Sequence, residues 1–515
     1  MRKLLKIMFS QIVVVSFLLI LQLLLIAISL MRLSEYFLYF DITLKIISLI
    51  TVIIIINRHS NPTYKLAWVV PILVFPMFGG LFYLFITGQM HTKLFFSKLS
   101  ALEKEITKDY PQNSEVFSEI ADLHPERETT VRYINNISGH SAYRCYQAQY
   151  FPLGEDKFES VLYELEKAQR YIFLEYFIIK EGTMWNTILE ILKRKAAEGV
   201  DVRVMYDGMG SMTLLPKSYP KTLESYGIKC RVFSPFTPFL SAIQNNRDHR
   251  KILVIDGKVA YTGGINLSDE YINIDYPHGH WKDMSVMIKG SAAFSFSMMF
   301  LQLWWNSCGK TEDIHDFEPI FSQEEELLFK ESGCGYVMPY SDMPQDKYQA
   351  GEYIYLDIIN KAKKYVYITT PYLILDHEMV VALTNAAQSG VDVKIICPLV
   401  ADHWYARSVA YSYYKELTEA GVKLYEYMPG FIHGKTFCCD DEIAVVGSIN
   451  LDYRSLYLHF ECAAWFLDSP VVYSVLNDFN DTLKKCRLIT VDYCTKIPPL
   501  QKILNACLRL FAPLM

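Results

Sequence analysis

No CxxC pair and no Cys/His cluster at metal-ligand spacing occurs in the 515 residues, so neither a structural zinc nor a disulfide framework is expected. The eleven cysteines are scattered, odd in number and mostly inside apolar runs, as buried free thiols in a reducing compartment would be. A basic excess is missing too. Fifty Lys and Arg stand against 56 Asp and Glu, and a net charge of -6 gives no field for holding a polyanion, which sets nucleic acid aside as a partner. What the chain has in surplus is apolar. Its hydrophobic share of 51% exceeds what a soluble enzyme needs, and most of that excess sits near the N-terminus.

Residues 8–31 are nearly uncharged, follow Arg2, Lys3 and Lys6, and are long enough to span a bilayer with no small-residue cleavage site behind them. A second apolar block ends at Ile56 but is interrupted by Asp41 and Lys45, leaving 46–56 as its clean core. A third, 66–87, is again long enough to cross despite Pro71, Pro76, Gly79 and Gly80. The sequence thus predicts a membrane anchor over 1–90 with two to three hydrophobic segments, in a multi-pass protein of the cell membrane. The basic loop 57–65 and the free cysteines favour two full spans and a cytoplasmic catalytic part. Residues 91–140 connect the anchor to the rest, and 91–122 of them are polar and rich in Lys and Glu.

Further on, His249, Lys251 and Asp256 are followed by Gly263, Gly264, Ile265 and Asn266, and the same spacing returns as His433, Lys435, Asp440, Gly447, Ser448, Ile449 and Asn450. Residues two apart on a strand share a face, so each copy presents an imidazole beside an ammonium. The apolar runs 252–255 and 436–439 read as buried strands that hold those pairs rigidly, and small residues at the return allow backbone to approach an anion. The surroundings repeat as well. A strand 171–178, a helix from Thr183 ended by Gly199 and a strand 200–206 return as 365–370, a helix to Ser389 and the run from Gly390. A duplicated α/β domain accounts for this, with halves at 141–310 and 336–490 and a linker at 311–335.

The two motifs resemble the HKD motifs of the phospholipase D superfamily, and their setting from about Asn57 onward is similar to that of bacterial cardiolipin synthases. The resemblance implies a duplicated phospholipase D-type α/β fold, two mixed-sheet halves sharing one active-site cleft, behind N-terminal transmembrane helices. It implies reversible phosphatidyl transfer between two phosphatidylglycerol molecules, giving cardiolipin and glycerol through a phosphohistidine, with no cofactor and no metal. The catalytic set is then His249, Lys251, Asp256, His433, Lys435 and Asp440, with His249 as nucleophile and His433 as general acid and later base; the reverse assignment stays open. Asp256 and Asp440 are motif members by superfamily usage, although they look like structural anchors at strand ends. Lys251, Lys435, Asn266 and Asn450 are expected to bind the non-bridging oxygens.

The same resemblance assigns Glu461 to orient His433 and Asp283 to orient His249. Glu175 and Arg454 are expected to line the pocket, Arg454 holding a second anion. Asp248 and His459 depart from the pattern, which leads one to expect Asn at both. The partners implied are phosphatidylglycerol and anionic lipids, met by an integral membrane protein. Rival readings are a membrane-bound phospholipase D, a phosphatidyltransferase with another acceptor, and a membrane scaffold with a dead site. Two segments lie outside the duplication. The loop 233–248 either packs on its own core or dips into lipid, and the amphipathic tail 491–515 either packs on the domain or lies among headgroups.

Overall fold

Short runs rich in Val, Ile, Tyr and Phe, buried on both faces, alternate with amphipathic helices, which is the pattern of sheets covered by helices. The computed structural model describes Leu24 and residues 35–58, 61–76, 79–87, 90–108, 113–235, 242–331, 334–344, 346 and 348–514. The chain divides into two units: residues 1–97 with 236–246 and 510–514, and residues 98–235 with 247–509 and 515.

In the first unit Glu35–Ile56 is one continuous helix. Asp41 and Lys45, which interrupt the apolar block, lie one turn apart and pair at 2.7 Å, so their charges offset each other and the helix runs through them. Its stretch Leu38–Ile56, with mean hydropathy 2.2, is the one helix among the described residues long and apolar enough to cross a membrane. The third expected span is instead two helices, Pro62–Val74 and Gly79–Thr87. The first starts at Asn61, whose side chain accepts from the Thr63 N–H at 2.9 Å, and stops at Phe75, the residue that Pro76 pushes out of helical geometry. Segment 8–31 lies, Leu24 apart, outside the described residues. Two to three spans were expected, and the described residues hold one candidate.

The second unit carries the duplication. One sheet runs, edge to edge, through Gln147–Phe151, Ser285–Lys289, Val259–Gly263, Ile252–Ile255, Tyr171–Tyr176, Asp201–Asp207 and Lys229–Phe233. The other repeats that order as Tyr336–Asp342, Glu461–Leu467, Ile443–Gly447, Thr436–Cys439, Tyr365–Thr369, Asp392–Pro398 and Lys423–Tyr427, extended at its edges by Tyr143–Arg144 and Cys486–Ile489. In both, the last three of the seven are parallel and the motif strand joins them antiparallel. Tyr143–Arg144, expected in the first half, pairs with Tyr336–Asp342 and so belongs to the second sheet.

Local chemistry repeats with the topology. The helix Thr183–Ala197 buries Met184, Trp185, Ile188, Leu189, Ile191 and Leu192 at helical spacing, and Gly199 ends it at φ 93°. Its counterpart His377–Gln388 is capped by Asp376, which accepts from the Met379 N–H at 2.9 Å, and is ended by Gly390, also at φ 93°. The helix Ala293–Cys308 is apolar all round and packs both on its own sheet and on Tyr336–Asp342 of the other; Pro470–Leu483 does the converse, reaching Gln147–Phe151. Phe300 and Trp304 of Ala293–Cys308 stack in series with Phe173 of the first sheet at 4.5 and 5.4 Å, each ring pair adding about 0.5–1.5 kcal/mol beyond its buried area. The linker holds a helix, Gln323–Glu331, and ties back to the first half through Glu312, which takes both terminal nitrogens of Arg203. Part of the tail, Pro499–Arg509, is a helix packed on Trp404–Glu419, leaving Leu500 and Ile503 exposed.

Candidate active site

Backbone pairing between the halves builds the site. Gly430–Ile432 runs parallel to His280–Lys282, so the next residues on each side, His433 and Asp283, emerge together. The His433 N–H donates to the Lys282 carbonyl at 2.7 Å. On the other side Asp248 bridges Phe460, the His249 N–H donates to the Phe460 carbonyl at 2.9 Å, and His249 and Glu461 emerge together. Each histidine is therefore beside the carboxylate of the opposite half. His249 Nδ1 lies 2.8 Å from Glu461 Oε1, and His433 Nδ1 lies 2.6 Å from Asp283 Oδ2.

This reverses the expected pairing, in which Glu461 served His433 and Asp283 served His249. Each acid lies closer in sequence to the histidine of its own half, but strand pairing across the halves decides the contact. A carboxylate acceptor at Nδ1 puts the neutral ring's proton there and leaves Nε2 with its lone pair. The carboxylates are themselves fixed. Asp283 accepts from the Met284 N–H at 2.8 Å, and Glu461 accepts from the Ser448 hydroxyl. Two glycines make room. A Cβ on Gly264 would stand 2.1 Å from Asp283 Oδ1, and one on Gly434 1.7 Å from Met284 Sδ.

Both imidazoles are buried, and that burial drives the electrostatics. His249 is held well below the ordinary imidazole range, first by desolvation, then by Lys251, Lys435 and the His433 ring. Two of these charges, Lys435 and the His433 ring, come from the opposite half. His433 is lowered by burial and by Lys435, while Asp283 pulls it back up. Burial pushes the ammonium of Lys251 down to about 8 and that of Lys435 down to about 7. Lys251 Nζ donates to the His249 carbonyl at 2.6 Å, and Lys435 Nζ donates to the His433 carbonyl and lies 2.9 Å from Nδ1 of that ring. The imidazole and ammonium of each motif thus do converge.

Other expected residues have different surroundings. Asp256 and Asp440 stand at the far ends of the motif strands, away from the histidines. Asp256 accepts the N–H groups of Gln169, Arg170 and Tyr171 at 2.8, 2.7 and 2.9 Å, and Asp440 those of Lys363, Lys364 and Tyr365 at 2.7, 2.8 and 2.9 Å. Each anchors the start of the neighbouring parallel strand and turns the chain at φ 54° and 55°, a conformation Asp tolerates. These contacts agree with the anchoring role that their place at the strand ends suggests. Glu175, expected to line the pocket, is fully buried and accepts from Arg250 Nε at 2.6 Å, with Asp248 flanking the same guanidinium at 3.6 Å. A buried ion cluster is what the geometry makes of it.

Asn266 accepts from the Ile178 N–H at 3.1 Å and donates to the Tyr271 hydroxyl at 2.7 Å, and Asn450 donates to the Ser455 hydroxyl at 2.9 Å. Each of these donated bonds uses one of the two N–H groups of the amide. Arg454 is half-buried and its charge weighs on His459, Asp452 and Arg247, so it belongs to the site's surroundings.

Sequence reasoning missed three residues. Lys157, on the helix Gly154–Leu165, is 1% exposed, its Nζ 3.4 Å from the Ile265 carbonyl, and burial pushes it down to about 7 beside Asp283 and Lys251. Tyr355 takes that position in the second half, its hydroxyl 3.2 Å from the Ile449 carbonyl. The repeat could have revealed the pair only through a helix register that differs in residue type. Ser448 was read as a small residue, whereas its hydroxyl holds Glu461.

Comparison with known proteins agrees with this construction. The family described as "Cardiolipin synthase, PLD-like domain" matches residues 161–304 and 355–483, and "Phospholipase_D-nuclease N-terminal" matches 46–86. A cardiolipin synthase of Geobacillus kaustophilus is 31% identical over 91% of this chain and 92% of its own. Cardiolipin synthase 2 of Bacillus anthracis is 32% identical over 90% and 89%, and an uncharacterized protein of Streptococcus mutans is 43% identical over 90% and 99%. The fold is also that of a phosphatidylserine synthase from Haemophilus influenzae, at 14% identity and TM-score 0.56 over 76% of this chain and 98% of the other. With two repeats, two His-Lys pairs in one site and a family match over both halves, the chain belongs to the cardiolipin synthase, PLD-like domain family of the phospholipase D superfamily.

Proposed function

We propose that the chain is a cardiolipin synthase that transfers a phosphatidyl group from one phosphatidylglycerol to the terminal hydroxyl of another. The observation that carries this is the crossed arrangement, in which each histidine has Nδ1 on a carboxylate of the opposite half at 2.8 and 2.6 Å. His249 Nε2 attacks phosphorus, the bond from phosphorus to the glycerol oxygen breaks, and His433 delivers the proton to the departing glycerol. The second phosphatidylglycerol then gives its hydroxyl proton to His433, its oxygen bonds to phosphorus, and the phosphorus–nitrogen bond breaks. Products are cardiolipin and glycerol, with His249 regenerated.

The depressed basicity of both rings in the free site suits the attacking group, which must be neutral. It opposes the acid, but the phosphodiester brings a negative charge next to His433 and Asp283 already favours its imidazolium. Lys251 and Lys435 stabilise the non-bridging oxygens, helped by the remaining N–H groups of Asn266 and Asn450. Arg454 holds the anion of the second lipid. Tethering through Leu38–Ile56 keeps the enzyme on the surface where its substrate lies, and a multi-pass anchor with a cytoplasmic catalytic part fits the apolar N-terminus.

Purified full-length protein incubated with phosphatidylglycerol labelled in the headgroup glycerol should release half of the label as free glycerol and keep the rest in cardiolipin. Phosphatidic acid with complete release would make the enzyme a hydrolase. Headgroup exchange with phosphatidylethanolamine in preference to phosphatidylglycerol would change the acceptor.

A further inference from the structure

One polar side chain in this site has no place in the transfer chemistry. His459 is 10% exposed, yet neither ring nitrogen has a hydrogen-bond partner among the described residues. A buried imidazole with both nitrogens unbonded is unfavourable, so the arrangement favours a ligand that takes one of them. Its ring stands 5.5 Å from that of His249, and its Nδ1 is 3.8 Å from Glu461 Oε1, the same oxygen that meets His249 Nδ1 at 2.8 Å.

We propose that His249, His459 and Glu461 form a binding site for a nitrogen-seeking divalent ion of the Zn²⁺ class, and that its occupancy switches the enzyme off. One ligand atom from each residue falls within 4.8 Å of the other two. Ligand atoms around tetrahedral zinc at bonds of about 2.0–2.1 Å are roughly 3.3 Å apart, and the two distances to Glu461 bracket that value. Ser448 already fixes the other oxygen of Glu461, the kind of outer hydrogen bond that steadies a metal-binding carboxylate. Lys251 and Lys435 lie close by and repel any cation. That repulsion discriminates, because Mg²⁺ and Ca²⁺ bind through charge and oxygen, whereas Zn²⁺ gains from imidazole nitrogen.

Inhibition follows from the tautomer and rests on the role of His249 in the proposed transfer. A metal on Nδ1 takes the lone pair of that nitrogen and moves the ring's proton to Nε2. Nε2 then carries hydrogen where it must attack phosphorus. The enzyme is held inactive without any change of fold, and removing the ion restores it.

The test uses the full-length protein in lipid nanodiscs, with Cys507→Ser in every variant because Cys507 is the exposed thiol among the described residues. Zn²⁺ should abolish turnover reversibly to EDTA, while equal Mg²⁺ or Ca²⁺ has no effect. Co²⁺ should give visible bands of a four- or five-coordinate site without the near-ultraviolet absorption of thiolate ligands, a measurement made with the three ligand residues intact and so independent of the folding of any site variant. In His459→Asn, checked for an unchanged melting curve, half-inhibition and half-saturation should both move to about tenfold higher Zn²⁺ or more, rates being normalised to each protein's metal-free value. Equal Zn²⁺ sensitivity of the two proteins, or equal inhibition by Mg²⁺, overturns the proposal. Stoichiometric Co²⁺ binding that His459→Asn weakens but that leaves turnover intact overturns the switch and counts against His249 as nucleophile, whereas absent binding leaves the transfer reading untouched.

Discussion

Replacing Asp283 by Asn should disable His433, although Asp283 lies in the first half with His249. The carboxylate is fully buried and 2.6 Å from His433 Nδ1, and its loss leaves the ring facing two cations, Lys435, whose Nζ is 2.9 Å from that nitrogen, and Lys251. Breaking a buried, hydrogen-bonded charge pair costs about 3–5 kcal/mol. If that cost falls on the imidazolium needed to protonate the leaving group, the rate falls roughly 10²- to 10⁴-fold at about 1.4 kcal/mol per factor of ten. Glu461→Gln should do the same to His249. The assay is acid quench with phosphatidylglycerol labelled in an acyl chain, scoring protein-bound label and its site. Asp283→Asn should give the labelling pattern of His433→Ala, and Glu461→Gln that of His249→Ala, whichever ring attacks. Asp283→Asn matching His249→Ala instead would refute the crossed pairing.

Three more outcomes are expected. Asp256→Ala should act through stability, because it strips the acceptor from three backbone N–H groups; a loss of about 1–3 kcal/mol or more in thermal or denaturant unfolding, with near-normal turnover by the folded fraction, is the sign of an anchor. A rate collapse at unchanged stability would return Asp256 to the chemistry. The kcat/KM for phosphatidylglycerol should fall as pH rises through about 7 and about 8, because the raised pH removes protons from Lys435 and Lys251, whose ammonium charge burial has made less stable. A flat profile to pH 9 would count against both lysines as anion holders. Gly434→Ala drives a Cβ to 1.7 Å from Met284 Sδ and should cost about 1–3 kcal/mol with a displaced Asp283, recovered in part by Met284→Ala; no recovery would place the strain elsewhere.

The duplication and its catalytic pairs were legible because they are local. His249 with Lys251 and His433 with Lys435 follow from a two-residue period, and the repeated Gly199 and Gly390 end corresponding helices at the same φ. The crossed partners were not legible. Which carboxylate meets which ring depends on Gly430–Ile432 pairing with His280–Lys282, a contact between the halves that no periodicity within one half encodes. Asp256 and Asp440 recur at fixed spacing as faithfully as the histidines do, so recurrence could not separate an anchor from a reactant; their place at the strand ends pointed to anchors, and the three N–H groups around each show what they hold. Lys157 was hidden for the opposite reason, since a lysine on an amphipathic helix is ordinarily solvated. The second apolar block looks interrupted when Asp41 and Lys45 are weighed one by one, but at four residues apart they form a pair.

The account's central claim is a relay through a histidine adduct, and the stereochemical course at phosphorus tests it most directly. Each in-line displacement inverts the phosphorus centre, so two in succession restore it. Phosphatidylglycerol made chiral by sulfur at phosphorus should give product with retained configuration in the wild-type enzyme. Net inversion would mean that the second lipid attacks the first directly, and would contradict the relay.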